Sequence, residues 1–215
     1  MNPIHRAYMN HMLHPFQAWD RLKYHATMSA RFEELLIGGA YKWMSDRLKP
    51  NTTILDIGAY VLDTALYFSL FKEVRSVLAF EPDNHAFDIA SKHLQAIKTA
   101  SDGRKIKLVH AAVGKDYVMS GQNISDHQGV KTLSLNEIIP TKNVAIKCDC
   151  EGGEYEIFTK ESDLANVYLI QIEYHMGQQK IPDILRSKGF KVKVGKPRMD
   201  NIGRITKLGY IYASR

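Results

Sequence analysis

Acidic side chains follow the first two predicted strands at the spacing that a nucleoside cofactor requires. The stretch "TILDIGAY" ends a buried strand at Asp56 and turns at Gly58, and "LAFEP" ends the next strand at Glu81. A carboxylate at the end of the second strand accepts hydrogen bonds from both ribose hydroxyls, and it repels a 2′-phosphate. The two motifs together predict a cofactor with an unphosphorylated ribose.

The turn after the first strand bears on which cofactor this is. A nicotinamide dinucleotide uses G-x-G-x-x-G so that its pyrophosphate lies against a helix N-terminus. This chain has Gly58, Tyr60 and Asp63 at those three positions, and an acidic residue there repels a pyrophosphate. S-adenosylmethionine carries an ammonium and no phosphate. Both cofactors stay open, and the loop favours S-adenosylmethionine.

A second group of titratable residues follows two later strands. "KCDCEGGEYEIF" places Asp149 at a strand end with Glu151 beside it, and "IEYH" places Glu173 and His175 at another. Carboxylates at a cofactor rim are costly without a cation, so they indicate a base, a metal or an ammonium ligand. A histidine there has a pKa suited to removing a hydroxyl proton. The structural alternative is that each is a hydrogen-bonding group and that Lys147 pairs with Asp149.

Near-continuous apolar strands alternate with amphipathic helices, which predicts a parallel sheet covered on both faces. The predicted strands are residues 53–57, 76–80, 106–112, 144–149, 167–174, 190–194 and 207–213, and the predicted helices are 63–72, 84–98, 153–159 and 178–188. A short loop joins the last two strands, so we expect them to pair antiparallel. Residues 113–135 are polar and predict loop or short edge strands. Ligands lie at the carboxyl ends of such strands, which brings the two groups together.

Before the first strand, the spacing of apolar residues is helical. Phe16, Trp19, Leu22, Phe32, Leu35 and Leu36 recur every three or four positions. We therefore divide the chain into an N-terminal helical extension, residues 1–50, and a domain built on the predicted parallel sheet, residues 51–215. Aromatic residues of the extension, among them Tyr41 and Trp43, are interpreted as core. The alternatives are a cover over an acceptor pocket and a surface for a homo-oligomer.

Composition excludes some classes of protein. No apolar run reaches eighteen residues and the first residues lack a secretory signal, so we expect a cytoplasmic protein without a membrane span. Its two cysteines, Cys148 and Cys150, are expected to be reduced thiols because their spacing along a strand disfavours a disulfide. The net charge of +6 is dispersed. The densest basic region is the C-terminal third, which we interpret as a solvated face, with nucleic-acid binding as the alternative.

Taken together, the motifs resemble one known family. "ILDIGAYVLDTALYF", "VLAFEPD", "HAAVG", "KTLSLNEII", "IKCDCEGGEYEIF" and "IQIEYH" have the order and approximate spacing of the FkbM-type S-adenosylmethionine-dependent methyltransferases, over roughly residues 53 to 175. The resemblance implies a Rossmann-like class I fold, with seven mostly parallel strands and an antiparallel last strand. It also implies O-methylation of a sugar, glycolipid or other small molecule.

The resemblance assigns site residues by position. The cofactor residues would be Asp56, Gly58, Ala59, Tyr60, Asp63, Thr64, Glu81, Pro82, Ala112 and Asp149. From the residues themselves, the candidate catalytic groups are Asp149 and His175 as proton acceptors, with Glu151 and Glu173 as orienting groups or ligands for a divalent cation. The carboxylates also suit Mg²⁺, but no spacing demands a metal.

One departure from the family pattern concerns the cofactor loop. The family usually carries Asn at position 60 and Gly at position 62, where this chain has Tyr60 and Leu62. A leucine at the start of the helix is expected to add bulk beside the cofactor. Three interpretations therefore stay open: a small-molecule O-methyltransferase, an RNA methyltransferase and a non-catalytic scaffold.

Overall fold

The computed structural model describes residues 35, 39–97, 105–114, 129–140, 142–199 and 202–215. Most of the predicted N-terminal extension lies outside these residues, including every position of its helical pattern except Leu35. The division of the chain at residue 50 therefore stays a prediction. Leu35 itself is buried in the core.

The described residues form one sheet of eight strands in the order β4-β3-β2-β1-β5-β6-β8-β7. The strands are β1 (Thr52–Ile57), β2 (Val74–Glu81), β3 (Ile106–Val113), β4 (Lys131–Leu133), β5 (Val144–Cys148), β6 (Val167–Tyr174), β7 (Lys191–Val194) and β8 (Gly209–Ser214). Neighbouring strands are parallel, except that β8 is antiparallel to both β6 and β7. This confirms the mostly parallel sheet with an antiparallel last strand. The sheet has one strand more than the predicted seven, because residues 113–135, for which loop or short edge strands were predicted, include the short edge strand β4.

Six helices accompany the sheet in the described part of the chain. They are α1 (Lys42–Ser45), α2 (Asp63–Ser69), α3 (Asn84–Ile97), α4 (Leu135–Ile138), α5 (Glu154–Ile157) and α6 (Ile181–Ser187). Each of the four helices predicted after residue 60 is present, and the first, third and fourth of them are shorter than predicted. The single turn α4 was not predicted, since four residues are too few to show a helical period.

Burial explains why the sequence forms this sheet. Every residue of β1 and β6 is buried, because apolar clusters cover both faces of the central strands. The adjacent residues Ile54 and Leu55 accordingly belong to clusters on opposite faces. Strands β7 and β8 instead alternate between more and less buried positions, as expected near the edge of a sheet.

The strand order places two loops side by side at the centre of the sheet. From β1 the chain proceeds outward through β2, β3 and β4, and then returns to β5 on the other side of β1. Such a reversal leaves a crevice at the carboxyl ends of the strands. The loops after β1 and β5 approach so closely here that a Cβ on Gly58 would lie 1.8 Å from the carbonyl oxygen of Asp149. Only glycine therefore fits at position 58.

A buried ion pair joins the same two strands. Asp56 and Lys147 are partners in the β1–β5 register, and Lys147 Nζ lies 2.9 Å from Asp56 Oδ1. Lys147 also donates to the carbonyl oxygen of Gly58 at 2.5 Å, and Thr64 Oγ1 donates to Asp56 Oδ2 at 2.6 Å. The pairing of Lys147 with Asp149 is thus wrong, because Asp56 lies directly across from the lysine.

The charge on Lys147 follows from its surroundings. Burial by itself would lower the pKa of this ammonium, but the carboxylates of Asp56 and Asp149 raise it above its ordinary value. Lys147 therefore stays protonated although it is buried.

Removing the cation tests this arrangement. We expect Lys147→Met to lower the free energy of unfolding by about 3–5 kcal/mol, because it leaves the Asp56 carboxylate buried without a counter-charge. Urea denaturation measures the change. The double variant Lys147→Met, Asp56→Asn should regain a large part of the loss, since the amide keeps an acceptor for Thr64 and carries no charge. Equal loss in both variants would contradict the electrostatic explanation.

Candidate functional site

Glu81, at the end of β2, is a buried carboxylate with room for further donors. Its side chain is 6% exposed. One carboxylate oxygen accepts the backbone N–H of Tyr60 at 2.7 Å, and the other accepts the N–H of Asp83 at 2.9 Å. Burial raises the pKa of Glu81, although these two hydrogen bonds lower it. Each oxygen keeps acceptor capacity, so a pair of hydroxyl donors would be well placed to stabilise the anion.

The turn after β1 is held from behind by β2. The N–H groups of Gly58 and Ala59 both donate to the carbonyl oxygen of Phe80, at 3.1 and 3.0 Å. These N–H groups therefore fix the turn against the neighbouring strand. Their contribution is to aim the following residues, Tyr60 and Leu62, which both have positive φ angles of 46° and 72°.

Leu62 does not project beside the candidate site. Its side chain is 1% exposed and packs in the same apolar cluster as Ala59 and Leu66. The expected bulk beside the cofactor is therefore directed into the core. Tyr60 is 39% exposed. Asn and Gly, the usual family residues at these positions, are the ones that adopt a left-handed backbone most readily.

The remaining cofactor residues carried over from the family are buried near this turn. They are Asp56, Asp63, Thr64, Pro82 and Ala112. The Asp56 carboxylate is engaged by Lys147 and Thr64, so its observed role is to join β1 to β5 and α2. Direct contacts between these residues and a cofactor stay predictions.

His175, directly after β6, lies among three carboxylates. Its Nδ1 is 2.8 Å from Glu154 Oε1, and its Nε2 is 3.6 Å from Asp149 Oδ1 and 3.4 Å from Glu151 Oε2. The structure thus brings together the three predicted catalytic residues. It also shows that Glu154, which is fully buried, orients the imidazole.

Glu173 has a different partner from the one that the sequence suggested. We interpreted it as an orienting group or metal ligand near His175, but its Oε1 lies 2.9 Å from Arg198 Nη1. The guanidinium of Arg198 also lies over the ring of Tyr210. Sequence reasoning missed this ion pair, because the two residues meet only after β7 and β8 fold back onto β6.

The environment of His175 changes the chemistry expected of it. Burial alone would lower its pKa, but the hydrogen bond to Glu154 and the charges of Glu154, Asp149 and Glu151 raise it from 6.5 to about 9. The ordinary pKa assumed from the sequence is therefore wrong. At neutral pH the imidazole carries a proton, so it offsets part of the negative charge of the three carboxylates and does not accept a further proton.

The same side chains are the group that could hold a metal ion. One ligand atom each from Asp149, Glu151 and His175 lie within 4.8 Å of one another. A divalent cation there would take the place of the proton on Nε2.

Tyr41 approaches the site from outside the motifs. Its ring is buried and packs edge-on against Phe68, with 5.9 Å between ring centroids, which confirms its assignment to the core. Burial and the charges of Asp149 and Glu173 raise its pKa well above the usual range. The phenol therefore stays protonated close to the carboxylates.

The two cysteines flank Asp149, and the backbone N–H of Cys150 donates to Glu154 Oε1 at 3.3 Å. Cys148 and Cys150 are free thiols, as predicted, and both are buried, with their sulfur atoms 3.5 Å apart. Burial raises the pKa of the Cys148 thiol, so it stays protonated.

Comparison with known proteins decides the family. The family described as the methyltransferase FkbM domain matches residues 56–192, which is more than half of the chain. The chain belongs to the FkbM methyltransferase family. The matched residues include the turn after β1, Glu81 and the cluster around His175. Among curated proteins, none matches this sequence.

Solved structures of methyltransferases share the fold of this FkbM domain. Methyltransferase FkbM from Methylobacillus flagellatus superposes with a TM-score of 0.53 at 14% identity, over 78% of this chain and 44% of that one. This chain therefore spans less than half the length of that relative. A precorrin-6y C5,15-methyltransferase from Geobacter metallireducens has a TM-score of 0.51 at 16% identity, over 82% and 86% of the two chains.

An rRNA methylase from Streptococcus thermophilus also has a TM-score of 0.51, at 11% identity, over 83% of this chain and 96% of that one. At these identities the similarity establishes the fold of the FkbM domain alone. Within the described ranges, the helices are all too short or too polar to cross a bilayer.

The positive φ angles of Tyr60 and Leu62, in the turn after β1, lead to a prediction about stability. Leu62→Gly relieves a backbone cost of about 1–2 kcal/mol but removes a buried side chain that contributes about 2–5 kcal/mol, so we expect a net loss of stability. Tyr60→Asn relieves a similar backbone cost at a more exposed position and should leave stability unchanged or raise it by up to about 1 kcal/mol. Thermal and urea unfolding of both variants measure this difference. A stabilising Leu62→Gly would show that the leucine is poorly packed.

The raised pKa of His175 generates another prediction. Histidine NMR titration should give a value of about 9 for His175, and Glu154→Gln should lower it towards 6.5. Since the folded pKa exceeds the unfolded one, this interaction stabilises the fold fully below pH 6.5, and the stabilisation is lost as the pH rises through about 9. His93, whose pKa is lowered by burial, is the internal control. An unshifted His175 would refute the charge assignment.

Proposed function

We propose that this FkbM domain transfers a methyl group from S-adenosylmethionine to a hydroxyl oxygen of a sugar, glycolipid or other small molecule. The observation that carries the proposal is Glu81. It is a buried carboxylate at the carboxyl end of β2, it is fixed by two backbone N–H groups, and it has no ion-pair partner among the described residues. A carboxylate with this setting suits a ribose diol.

The residues available to the rest of the cofactor surround the same crevice. Glu81 would hold the ribose hydroxyls, and the turn from Gly58 to Asp63 would border the methionine portion. The negative charge near Asp149 and Glu151 would favour the ammonium and sulfonium groups over a phosphate. The fit of S-adenosylmethionine therefore rests on a charge distribution that a dinucleotide would not match.

The chain's own residues supply proton transfer and alignment. S-adenosylmethionine supplies an activated methyl group, so the protein needs to orient the acceptor, exclude water and remove a proton. Asp149 is the acceptor for the hydroxyl proton, because His175 already carries a proton at neutral pH. His175 and Glu154 hold the rim in place. Glu151, which is largely exposed, faces the side from which an acceptor would enter.

RNA methylation is the alternative that the basic C-terminal third suggested. In the structure these cations are divided between two edges of the sheet, because Lys191 begins β7 whereas Lys196 follows its end. Arg198 is paired with Glu173. This division supports a small acceptor over a continuous nucleic-acid footprint.

Cofactor binding and transfer can be tested separately. Calorimetry should detect S-adenosylmethionine binding to the wild type, and Glu81→Gln should weaken it about tenfold to a hundredfold because a charged hydrogen-bond acceptor is lost. Labelled S-adenosylmethionine is then screened against glycans, glycolipids and tRNA. With the acceptor found, Asp149→Asn should reduce transfer about a hundredfold or more while cofactor binding persists. Asp183→Asn, an exposed carboxylate on α6, is the matched control.

Each result has a stated consequence. Absence of cofactor binding would leave the non-catalytic scaffold as the function of the fold, and transfer confined to tRNA would establish the RNA alternative. Full activity of Asp149→Asn would remove Asp149 from the reaction. We expect transfer to persist in EDTA, because the His175 imidazolium supplies the positive charge at the rim. Loss that Mg²⁺ reverses would assign Asp149, Glu151 and His175 as metal ligands.

A further inference from the structure

The large exposed hydrophobic side chains of the described residues lie at one edge of the sheet. The large hydrophobic residues that are exposed are Tyr60, Met176, Met199, Ile202 and Ile205. Tyr60 follows β1, Met176 follows β6, and the other three lie between β7 and β8. All of these segments are at the carboxyl edge, where the candidate site lies. Clustered exposure of this kind marks an interaction surface.

Three of these residues belong to a hairpin loop, defined here as residues 195–199 and 202–208. The loop emerges at the carboxyl edge, since Gly209 at the start of β8 pairs with Tyr174 at the end of β6. Gly177, just after β6, donates its N–H to the carbonyl oxygen of Lys207 at 2.8 Å. The hairpin loop is therefore fixed beside the segment that carries His175.

The backbone of the hairpin loop is held by hydrogen bonds, whereas its aliphatic side chains are exposed to solvent. Arg198 and Leu208, and Thr206 and Arg198, are joined by backbone hydrogen bonds of 2.8 Å. Met199, Ile202 and Ile205 are nevertheless 66%, 74% and 77% exposed. The loop backbone is fixed, and its aliphatic side chains face water. Burying these side chains in an apolar environment would therefore be favourable.

Cations accompany these aliphatic residues. Lys196, Arg204 and Lys207 are exposed on the same hairpin loop, in a chain with a net charge of +6. Single-stranded nucleic acid is bound by aromatic stacking, and the described residues of the loop include no aromatic side chain. Aliphatic side chains surrounded by Lys and Arg instead match the boundary between lipid headgroups and acyl chains.

We propose that the hairpin loop docks this domain on an anionic lipid surface, with the candidate site facing the headgroups. Met199, Ile202 and Ile205 enter the interface, and Lys196, Arg204 and Lys207 contact the anionic headgroups. The further identification of a lipid-borne hydroxyl as the methyl acceptor rests on the proposed function. The docking itself does not depend on catalysis.

Vesicle co-sedimentation tests the docking without cofactor. The wild type should bind vesicles of phosphatidylcholine mixed with phosphatidylglycerol, and bind vesicles of phosphatidylcholine alone at least about tenfold more weakly. The variant Met199→Ser, Ile202→Ser, Ile205→Ser should lose about tenfold or more in affinity for the mixed vesicles. These side chains are exposed, so the variant should keep the wild-type unfolding transition.

A pair of charge variants separates docking from general attraction. Lys196→Glu with Lys207→Glu should weaken binding at least about tenfold, because two cations contribute about fivefold each before reversal. The matched control is Lys72→Glu with Lys191→Glu, which makes the same charge change at the opposite edge of the sheet and should bind nearly as well as the wild type.

Three outcomes would overturn the proposal. These are failure of the wild type to bind the mixed vesicles, unchanged binding by the serine variant, and equal weakening by the two charge pairs. RNA binding that survives the serine substitutions and is lost with Lys196→Glu and Lys207→Glu would assign the edge to nucleic acid instead. Calorimetry with S-adenosylmethionine on the same proteins keeps the two proposals apart, because docking can fail while cofactor binding persists.

Discussion

The ion pair between Asp56 and Lys147 is the constraint on which the rest of the site depends. Two buried charges are tolerated only when each is compensated, and here the compensation comes from both strands and from α2. The pair holds the carboxyl ends of β1 and β5 in one register. That register brings the turn at Gly58 against the backbone of Asp149. The crevice between the strands is thereby fixed before any ligand enters.

Around this fixed centre, positive and negative charges are paired at two depths. Lys147 is buried beneath the rim and stays protonated, whereas His175 is protonated at the rim itself. Glu154 orients His175 from the interior, and Asp149 and Glu151 face its other nitrogen. These contacts hold the side chain of Asp149 in place before any ligand binds. If Asp149 accepts a proton as proposed, the candidate site is preorganised for that step.

The antiparallel pairing of β8 with β6 and β7 adds a further surface to this edge of the sheet. Because β8 returns beside β6, the loop between β7 and β8 must emerge at the carboxyl edge. Arg198 fixes that loop to Glu173, at the end of the same strand that precedes His175. The fold thus places an apolar and basic surface next to the site as a consequence of strand direction. The hairpin loop and the candidate site therefore lie on the same side of the molecule.

Residue order and type alone determined the fold class, since uninterrupted apolar strands between amphipathic helices can be buried only in a covered parallel sheet. They also indicated that Glu81 and the cluster of Asp149, Glu151 and His175 lie at one edge of the sheet, because the ends of parallel strands converge there. The sequence did not reveal which charged residues pair with each other. In the structure Lys147 on β5 pairs with Asp56 on β1, Glu154 orients His175, and Arg198 pairs with Glu173. The direction of the Leu62 side chain and the raised pKa of His175 were likewise decided only by the tertiary structure. The physical reason is that electrostatic and packing energies depend on distances between residues that are remote along the chain, and only the folded structure sets those distances.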